Sequence, residues 1–185
     1  MTVQITYKNK VSMNNAYNLV LFVDEKMNIS SLKKHISVSD YAFIADLIKT
    51  KDINKKIIPF DISSKKKIIL VSLKRNLKGC DVESLGANLY NIIKDYKKRE
   101  FIIYSDNISI ELKNFIGHFL HGFRLKSYIF DKYKSKKDKR NISISVLGKN
   151  IPSVKDQISF KAIEDGTFLT RDLVSEPGNI LHPDE

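Results

Sequence analysis

Two apolar runs, one continuous and one broken only by Ser72, are the strongest constraint on the fold of this chain. One occupies 19–23 within NLVLFVDE, and the other occupies 68–73 within KKIILVSLK. Runs without polar alternation are typical of strands buried on both faces of a sheet. Segments with the spacing of amphipathic helices separate and follow these runs, so the sequence predicts a layered α/β domain.

Further strands and helices complete this alternation. Strands are predicted at 3–7, 56–62, 101–104 and 142–147, and helices at 40–49, 83–98, 112–123 and 153–175. Pro59 indicates an edge strand or a bulge, because proline cannot donate a hydrogen bond to a neighbouring strand. The strand at 68–73, the next helix and the strand at 101–104 form a crossover unit whose two strands should be parallel.

Polar residues predict several helix ends. Ser39 is placed to cap the 40–49 helix, and Asp106 can cap the long helix that follows it. Lysines gather at the carboxyl end of the 83–98 helix, where they complement the helix dipole. We therefore expect both ends of these helices to be set by local polar groups.

The last helical pattern has signals at both ends. Ser153 with Asp156 resembles a capping box, and the Glu176–Pro177 step should terminate the helix. The remaining stretch, GNILHPDE, has no further element to join. We expect it to lead, like a linker, into a part that is absent from this sequence.

The composition fits one globular body with an appendage. The 185 residues are 42% hydrophobic and 29% charged, and Cys80 is the only cysteine, which excludes an intrachain disulfide. No run approaches the roughly 18 apolar residues of a membrane span, and the start lacks the pattern of a secretory signal. A cytoplasmic location is therefore expected, with Cys80 as an ordinary packed thiol.

The formal net charge of +11 raises the possibility of a polyanion partner. Most of this charge is scattered lysine, whereas planar bidentate recognition of bases and phosphates favours arginine. The basic stretch at 132–140 reads as an exposed loop, with a nucleic-acid arm as the alternative. We favour a general compositional bias toward Lys, Ile and Asn over a nucleic-acid surface. The arginines are Arg75, Arg99, Arg124, Arg140 and Arg171.

Histidines give a weak metal signal. His118 and His121 are three residues apart on a predicted helix, which can place two imidazoles on one face. No HExxH motif occurs, and His35 and His182 fall in a predicted loop and in the tail. Two ligands do not specify a metal site, so structural histidines are the favoured interpretation.

Catalytic patterns are also weak. Asp24, Asp61, Asp81 and Asp106 lie at or near strand ends, where α/β enzymes place catalytic groups but where Asp also favours turns and caps. The chain has no glycine-rich phosphate loop and no GxSxG elbow, and Cys80 has no adjacent predicted base. We therefore assign no catalytic, cofactor-binding or metal-binding residue.

Two segments carry a family resemblance. The stretch 166–183, GTFLTRDLVSEPGNILHP, closely resembles the interdomain signature of the leucyl aminopeptidase family (peptidase family M17). The stretch 125–137, LKSYIFDKYKSKK, resembles the family segment that ends the long helix before the last strand of the amino-terminal domain. The positions of the signature that match are Arg171, Asp172, Leu173, Val174, Glu176, Pro177, Asn179, Leu181 and Pro183, and those that depart from it are Ser175, Gly178 and His182.

The resemblance implies a domain plan. It implies a three-layer, macro-domain-like amino-terminal domain at 1–150, with a mixed, mostly parallel sheet flanked by helices. A linker helix at 151–175 would then lead into the truncated start of a catalytic domain at 176–185. Intact family members hydrolyse amino-terminal residues from peptides with two divalent metals, commonly zinc, manganese or magnesium. Their ligands lie around a motif of the form NTDAEGR, which is absent here.

These implications lead to two hypotheses. In the first, the chain is a non-catalytic domain that serves assembly and access to the active site of an aminopeptidase. Its partners would be its own catalytic domain and the other subunits of a homo-hexamer, whereas the chain alone would be inactive and a monomer or weak dimer. In the second, the chain is a binding module for a nucleotide, ADP-ribose or DNA.

Overall fold

A computed structural model describes residues 2–8, 18–50, 55–108, 110–136, 141–178 and 180. The strands are β1 (Thr2–Lys8), β2 (Asn18–Asp24), β3 (Ile57–Ser63), β4 (Lys66–Leu73), β5 (Glu100–Tyr104) and β6 (Asn141–Leu147). The helices are α1 (Val38–Thr50), α2 (Gly79–Ile93), α3 (Phe115–Lys126) and α4 (Val154–Ser175), with a short 3-10 helix at Ser30–Lys34.

The six strands form one sheet in the order β1-β6-β5-β2-β4-β3. β3 is antiparallel to β4, and the other neighbouring pairs are parallel. β4 and β5 both pair in parallel with β2, so the predicted crossover through α2 is confirmed. The α/β fold with a mixed, mostly parallel sheet is therefore confirmed.

Helices cover both faces of this sheet. Phe22 and Ile103 belong to the core beneath α2 and α3, whereas Leu21 and Ile102 belong to the core on the α1 side. This alternation follows from the two-residue period of a strand, which sends successive side chains to opposite faces. The long apolar runs arise because both faces of the sheet are covered by helices, and the result is three layers.

α2 and α3 approach each other through glycines. A Cβ on Gly86 would lie 1.8 Å from the carbonyl oxygen of Phe119, and a Cβ on Gly122 would lie 2.0 Å from that of Glu83. Only glycine avoids these clashes with the backbone. This close approach sets the position of α3 against α2, and α4 lies on α3.

β3 forms an edge of the sheet, as Pro59 predicts. Pro59 is opposite Ile69 of β4, and the register shifts between Asp61 and Ser63. The missing N–H of proline is tolerated because β3 has a neighbour on one side only. Of the two predicted alternatives, the edge position is confirmed; the irregular pairing lies beyond Pro59, between Asp61 and Ser63.

Two predicted caps are wrong. α1 begins at Val38, and the N–H of Asp40 donates to Oγ of Ser37 at 3.1 Å, so Ser37 rather than Ser39 caps it. Asp106 does not cap α3, because its Oδ1 accepts a 2.8 Å hydrogen bond from the N–H of Lys149 beyond β6. Ser39 lies inside the first turn of α1 and so cannot precede it as a cap, and Asp106 is bound by a donor that is distant in sequence.

The bounds of α2 also differ from the prediction. The helix begins at Gly79, four residues before the predicted start, and ends at Ile93 rather than at 98. Asp81 accepts the N–H of Lys78 at 2.9 Å in the first turn. The last turn contains no basic residue, so the lysines at 97 and 98 follow the helix instead of complementing its dipole.

Both predicted ends of α4 are confirmed. The N–H of Asp156 donates to Oγ of Ser153 at 3.2 Å, and the helix runs from Val154 to Ser175. The backbone of Glu176 is extended, with a ψ angle of 139°, immediately before Pro177. Among the described parts of the chain, no helix is both long enough and apolar enough to span a bilayer.

Candidate functional site

α4 rests on α3 through a buried ionic contact. Glu164 is the buried residue of α4, with 3% of its surface exposed. Its Oε2 accepts a 2.7 Å hydrogen bond from Nη1 of Arg124, and its Oε1 lies 3.1 Å from Nδ1 of His121. A carboxylate removed from water needs such partners, so these three residues define where α4 crosses α3.

An aromatic contact lies one turn away on α4. The ring of Phe160 is 5.2 Å from that of His118 and 5.4 Å from that of His121, measured between centroids. A Cβ on Gly117 would lie 2.3 Å from Cε2 of Phe160, so glycine leaves the space that this ring fills. Phe160 therefore sits between the two histidines.

The two histidines bind different carboxylates. Nδ1 of His118 lies 2.9 Å from Oε1 of Glu83 on α2, whereas His121 contacts Glu164 on α4. Within the described residues, no group of three or more His, Cys, Asp or Glu could hold a metal ion. The residues present therefore do not fit the two-metal centre that the family resemblance implies for intact enzymes.

Two of the four predicted carboxylates organise local turns. Oδ1 of Asp24 accepts the N–H of Asn28 at 2.9 Å after β2. Asp81 accepts the N–H of Lys78 at the start of α2. Such turn and cap contacts are the common use of aspartate at strand and helix ends.

The other two predicted carboxylates join neighbouring segments. Asp61 forms an ion pair across the β3–β4 pair with Lys67. Asp106 receives the N–H of Lys149, which links the ends of β5 and β6. The structure therefore does not bring the four carboxylates together in one site.

The remaining predicted candidates are dispersed. Cys80 is exposed on α2, so the prediction of a packed thiol is wrong. His35 stacks on Tyr104 with 4.1 Å between ring centroids, and burial, with the nearby charge of Lys34, lowers the pKa of His35. His182 lies outside the described residues.

The two family-like segments meet in space. Nη1 of Arg171 donates to the carbonyl oxygen of Leu125 at 2.7 Å, and its guanidinium lies 5.4 Å from the ring centroid of Tyr128. The hydroxyl of Tyr128 donates to Oδ1 of Asp172 at 2.7 Å. Burial, with this hydrogen bond, raises the pKa of Tyr128.

The end of α4 is held by the same segment. Nζ of Lys132 donates to Oε1 of Glu176 at 2.6 Å, and the hydroxyl of Tyr133 hydrogen bonds to the other carboxylate oxygen. These two hydrogen bonds lower the pKa of Glu176, and the carboxylate raises the pKa values of Lys132 and Tyr133. The direction in which the chain leaves α4 is thus fixed at the Glu176–Pro177 step.

A groove of about 770 Å³ lies between these segments, and we call it the α4 groove. One wall is formed by 127–132, including Ile129 and Phe130, and the other by α4, including Leu169 and Leu173. Sequence reasoning did not identify this groove. The available signal was that both walls belong to the segments that resemble one family.

Comparisons with known proteins agree on one family. No family model matches the chain. The probable cytosol aminopeptidase of Clostridium perfringens is 29% identical over 171 residues, which cover 88% of this chain and 33% of that protein. The chain therefore spans about a third of the length of this curated relative.

Solved structures with low sequence identity share the fold. A variant of tomato leucine aminopeptidase superposes with a TM-score of 0.72 at 18% identity, covering 99% of this chain and 40% of that one. The bottromycin maturation enzyme BotP in complex with manganese gives a TM-score of 0.62 at 13% identity, covering 91% and 34%. The chain is thus similar in sequence to about a third of a cytosol aminopeptidase, and similar in fold to part of a leucine aminopeptidase.

Proposed function

We propose that this chain is the non-catalytic amino-terminal domain of a metal-dependent aminopeptidase. The observation that carries the proposal is the contact between the two family-like segments, in which Tyr128 and Arg171 join the segment after α3 to α4. The match to about a third of a cytosol aminopeptidase supports it. The intact enzyme would remove amino-terminal residues from peptides.

In this proposal the two divalent metals, zinc, manganese or magnesium, are bound outside this chain. The dispersed positions of the described His, Asp and Glu side chains support that assignment. The solved complex of BotP with manganese supports metal dependence among proteins of this fold. The domain itself would contribute positioning of the adjoining polypeptide, not ligands.

The proposed role is assembly and control of access to the active-site cavity, with the catalytic domain and the other subunits of a homo-hexamer as partners. The fixed exit direction at Glu176 supports a positioning role, because a rigid linker transmits orientation between two bodies. The chain alone would be a monomer or weak dimer. The names of the curated relatives support a cytoplasmic location.

A fusion protein tests this function. The chain is joined to the part of the Clostridium perfringens aminopeptidase that it does not match, and hydrolysis of leucine p-nitroanilide is measured with manganese. We expect the fusion to hydrolyse the substrate and to form a larger assembly than either part. A catalytic part that is equally active and equally assembled without the chain would contradict the proposed role.

A further inference from the structure

A cavity smaller than the α4 groove lies where α4 crosses β1 and α3, and we call it the Tyr7 cavity. Its volume is about 190 Å³. Ile5 and Tyr7 of β1 both line it, because alternate residues of a strand point to the same side. A cavity of ~150 Å³ accommodates a molecule of the size of benzene, so the Tyr7 cavity has room for one small molecule.

Charged groups of both signs line the Tyr7 cavity. They include Arg124 and Glu164, and His121 lies beside them. Glu164 is 3% exposed and His121 is 6% exposed, so both side chains are almost entirely removed from the outer surface. The carboxylate of Glu164 uses one hydrogen bond on each oxygen, whereas a carboxylate has about four acceptor positions. The buried network therefore has hydrogen-bonding capacity left for a ligand.

The hydroxyl of Tyr7 is a second source of hydrogen bonds in this cavity. Tyr7 is half-buried, and within the described parts of the chain no group hydrogen bonds to its hydroxyl. Burial raises the pKa of Tyr7, and the charges of Arg124 and Glu164 act on it in opposite directions, so the hydroxyl lies near both. Polar groups in a protein interior usually have a partner. A bound molecule would supply the partner for Tyr7.

The rest of the cavity wall is largely apolar. Ile5, Leu120 and the ring of Phe160 contribute to it, and Gly117 leaves the space that this ring fills. Water molecules need two to four polar partners each, which such a wall does not offer. The combination favours a molecule that carries a positive group, a negative group and a short apolar side chain.

We propose that the Tyr7 cavity binds one free α-amino acid with an apolar side chain. Its carboxylate would accept hydrogen bonds from Arg124 and Tyr7, and its ammonium group would donate to Glu164. Its side chain would pack on Leu120 and Phe160. Because such a ligand contacts β1, α3 and α4 together, it would favour the conformation in which α4 is seated. Its use as regulation by product rests on the proposed function, whereas the binding itself does not.

Calorimetry and amide NMR of the purified 185-residue chain, titrated with leucine, test the binding. We expect saturable binding, with the amide signals of Gly117 and Gln157 shifting along the same curve. Leucinamide lacks the carboxylate and 4-methylpentanoate lacks the ammonium group, so each should bind at least about tenfold more weakly. Absence of saturable leucine binding up to its solubility limit would overturn the proposal. Binding of either analogue as tight as that of leucine would overturn the assignment to an amino acid.

Matched variants separate binding from folding. Tyr7→Phe should weaken leucine binding by about tenfold, because it removes one hydrogen bond to a charged group. Tyr96→Phe is the control, since Tyr96 is also half-buried but contacts Lys67. Ile5→Phe should fill the apolar part of the cavity and abolish binding. Thermal unfolding without leucine identifies the variants that fold, and a folded Tyr7→Phe or Ile5→Phe with unchanged leucine affinity would contradict the proposal.

The fusion described above tests the regulatory role separately. Leucine also acts at the catalytic centre as a product, so regulation is the part of its effect on hydrolysis that Tyr7→Phe removes. An effect of leucine that is identical in the fusion with and without Tyr7→Phe would overturn the regulatory role. Leucine binding to the isolated chain, together with a fusion that does not hydrolyse leucine p-nitroanilide, would support the cavity and contradict the proposed function.

Discussion

The hydroxyl of Tyr128 donates a 2.7 Å hydrogen bond to Asp172, 44 positions later in the chain. With the ion pair between Arg124 and Glu164, it orients α4 on α3 by polar contacts. α2 and α3, by contrast, are packed into the main apolar core through residues such as Leu89 and Phe119. The orientation of α4 therefore depends on a few specific hydrogen bonds, together with the ring contacts of Phe160 on α3.

Removing the Tyr128 hydroxyl tests that dependence. Tyr128→Phe and Asp172→Ala should each lower the free energy of unfolding by about 1 kcal/mol, because each loses one hydrogen bond. The two losses should not add, since both variants remove the same interaction. Urea denaturation of the single and double variants measures this coupling, and fully additive losses would show that the bond contributes nothing.

Glu164→Ala should lower the free energy of unfolding more than the loss of the Tyr128 hydrogen bond does. The substitution leaves Arg124 and His121 without their shared carboxylate in a buried position, so we expect a loss of about 3 kcal/mol in the free energy of unfolding. Asp165→Ala is the matched control, because Asp165 is the next residue on α4 and is well exposed. Thermal and urea unfolding should separate the two variants clearly, and similar losses would argue against a structural role for the buried network.

Acidification should loosen the end of α4. The folded-state pKa of Glu176 is lowered by Lys132 and Tyr133, so its contribution to stability is present above the unfolded-state pKa and is lost as pH falls through the folded-state pKa. Since unperturbed glutamate titrates near pH ~4.3, the loss should occur below that pH. Protection factors for amide hydrogen exchange at the end of α4 should fall in this range, and Glu176→Gln should remove most of this pH dependence. An unchanged pH profile in Glu176→Gln would contradict the assignment.

Substituting alanine at two glycines should change the stability of the chain in opposite directions. Gly166 lies inside α4 with open space around it, so Gly166→Ala should stabilise the isolated chain by up to about 1 kcal/mol through helix propensity. Gly86→Ala would place a Cβ 1.8 Å from the carbonyl oxygen of Phe119, so it should separate α2 from α3 and lower the melting temperature. Changes of the same sign in both variants would be inconsistent with this packing.

The fold was largely predictable because the strands are marked by strong local patterns. The runs at 19–23 and 68–73 became β2 and β4 with one to two extra residues at their ends. The start of α2 was missed because Gly79 and Cys80 in its first turn carry no helical pattern. Asp106 was misassigned because its partner, the N–H of Lys149, is 43 positions away.

The site was only half predictable. The resemblance marked the two segments that form the α4 groove but not the groove itself, because contacts such as that between Tyr128 and Asp172 depend on how α4 crosses α3. That crossing is set by burial of Glu164, and sequence patterns place a helical glutamate on the surface.

The central claim is that this chain carries no catalytic centre of its own. The most direct measurement is hydrolysis of leucine p-nitroanilide by the purified 185-residue chain in the presence of manganese, with zinc and magnesium as parallel conditions. The account predicts no hydrolysis above the uncatalysed rate with any of the three metals. Metal-dependent turnover that follows the chain through purification and is abolished by a chelator would contradict it.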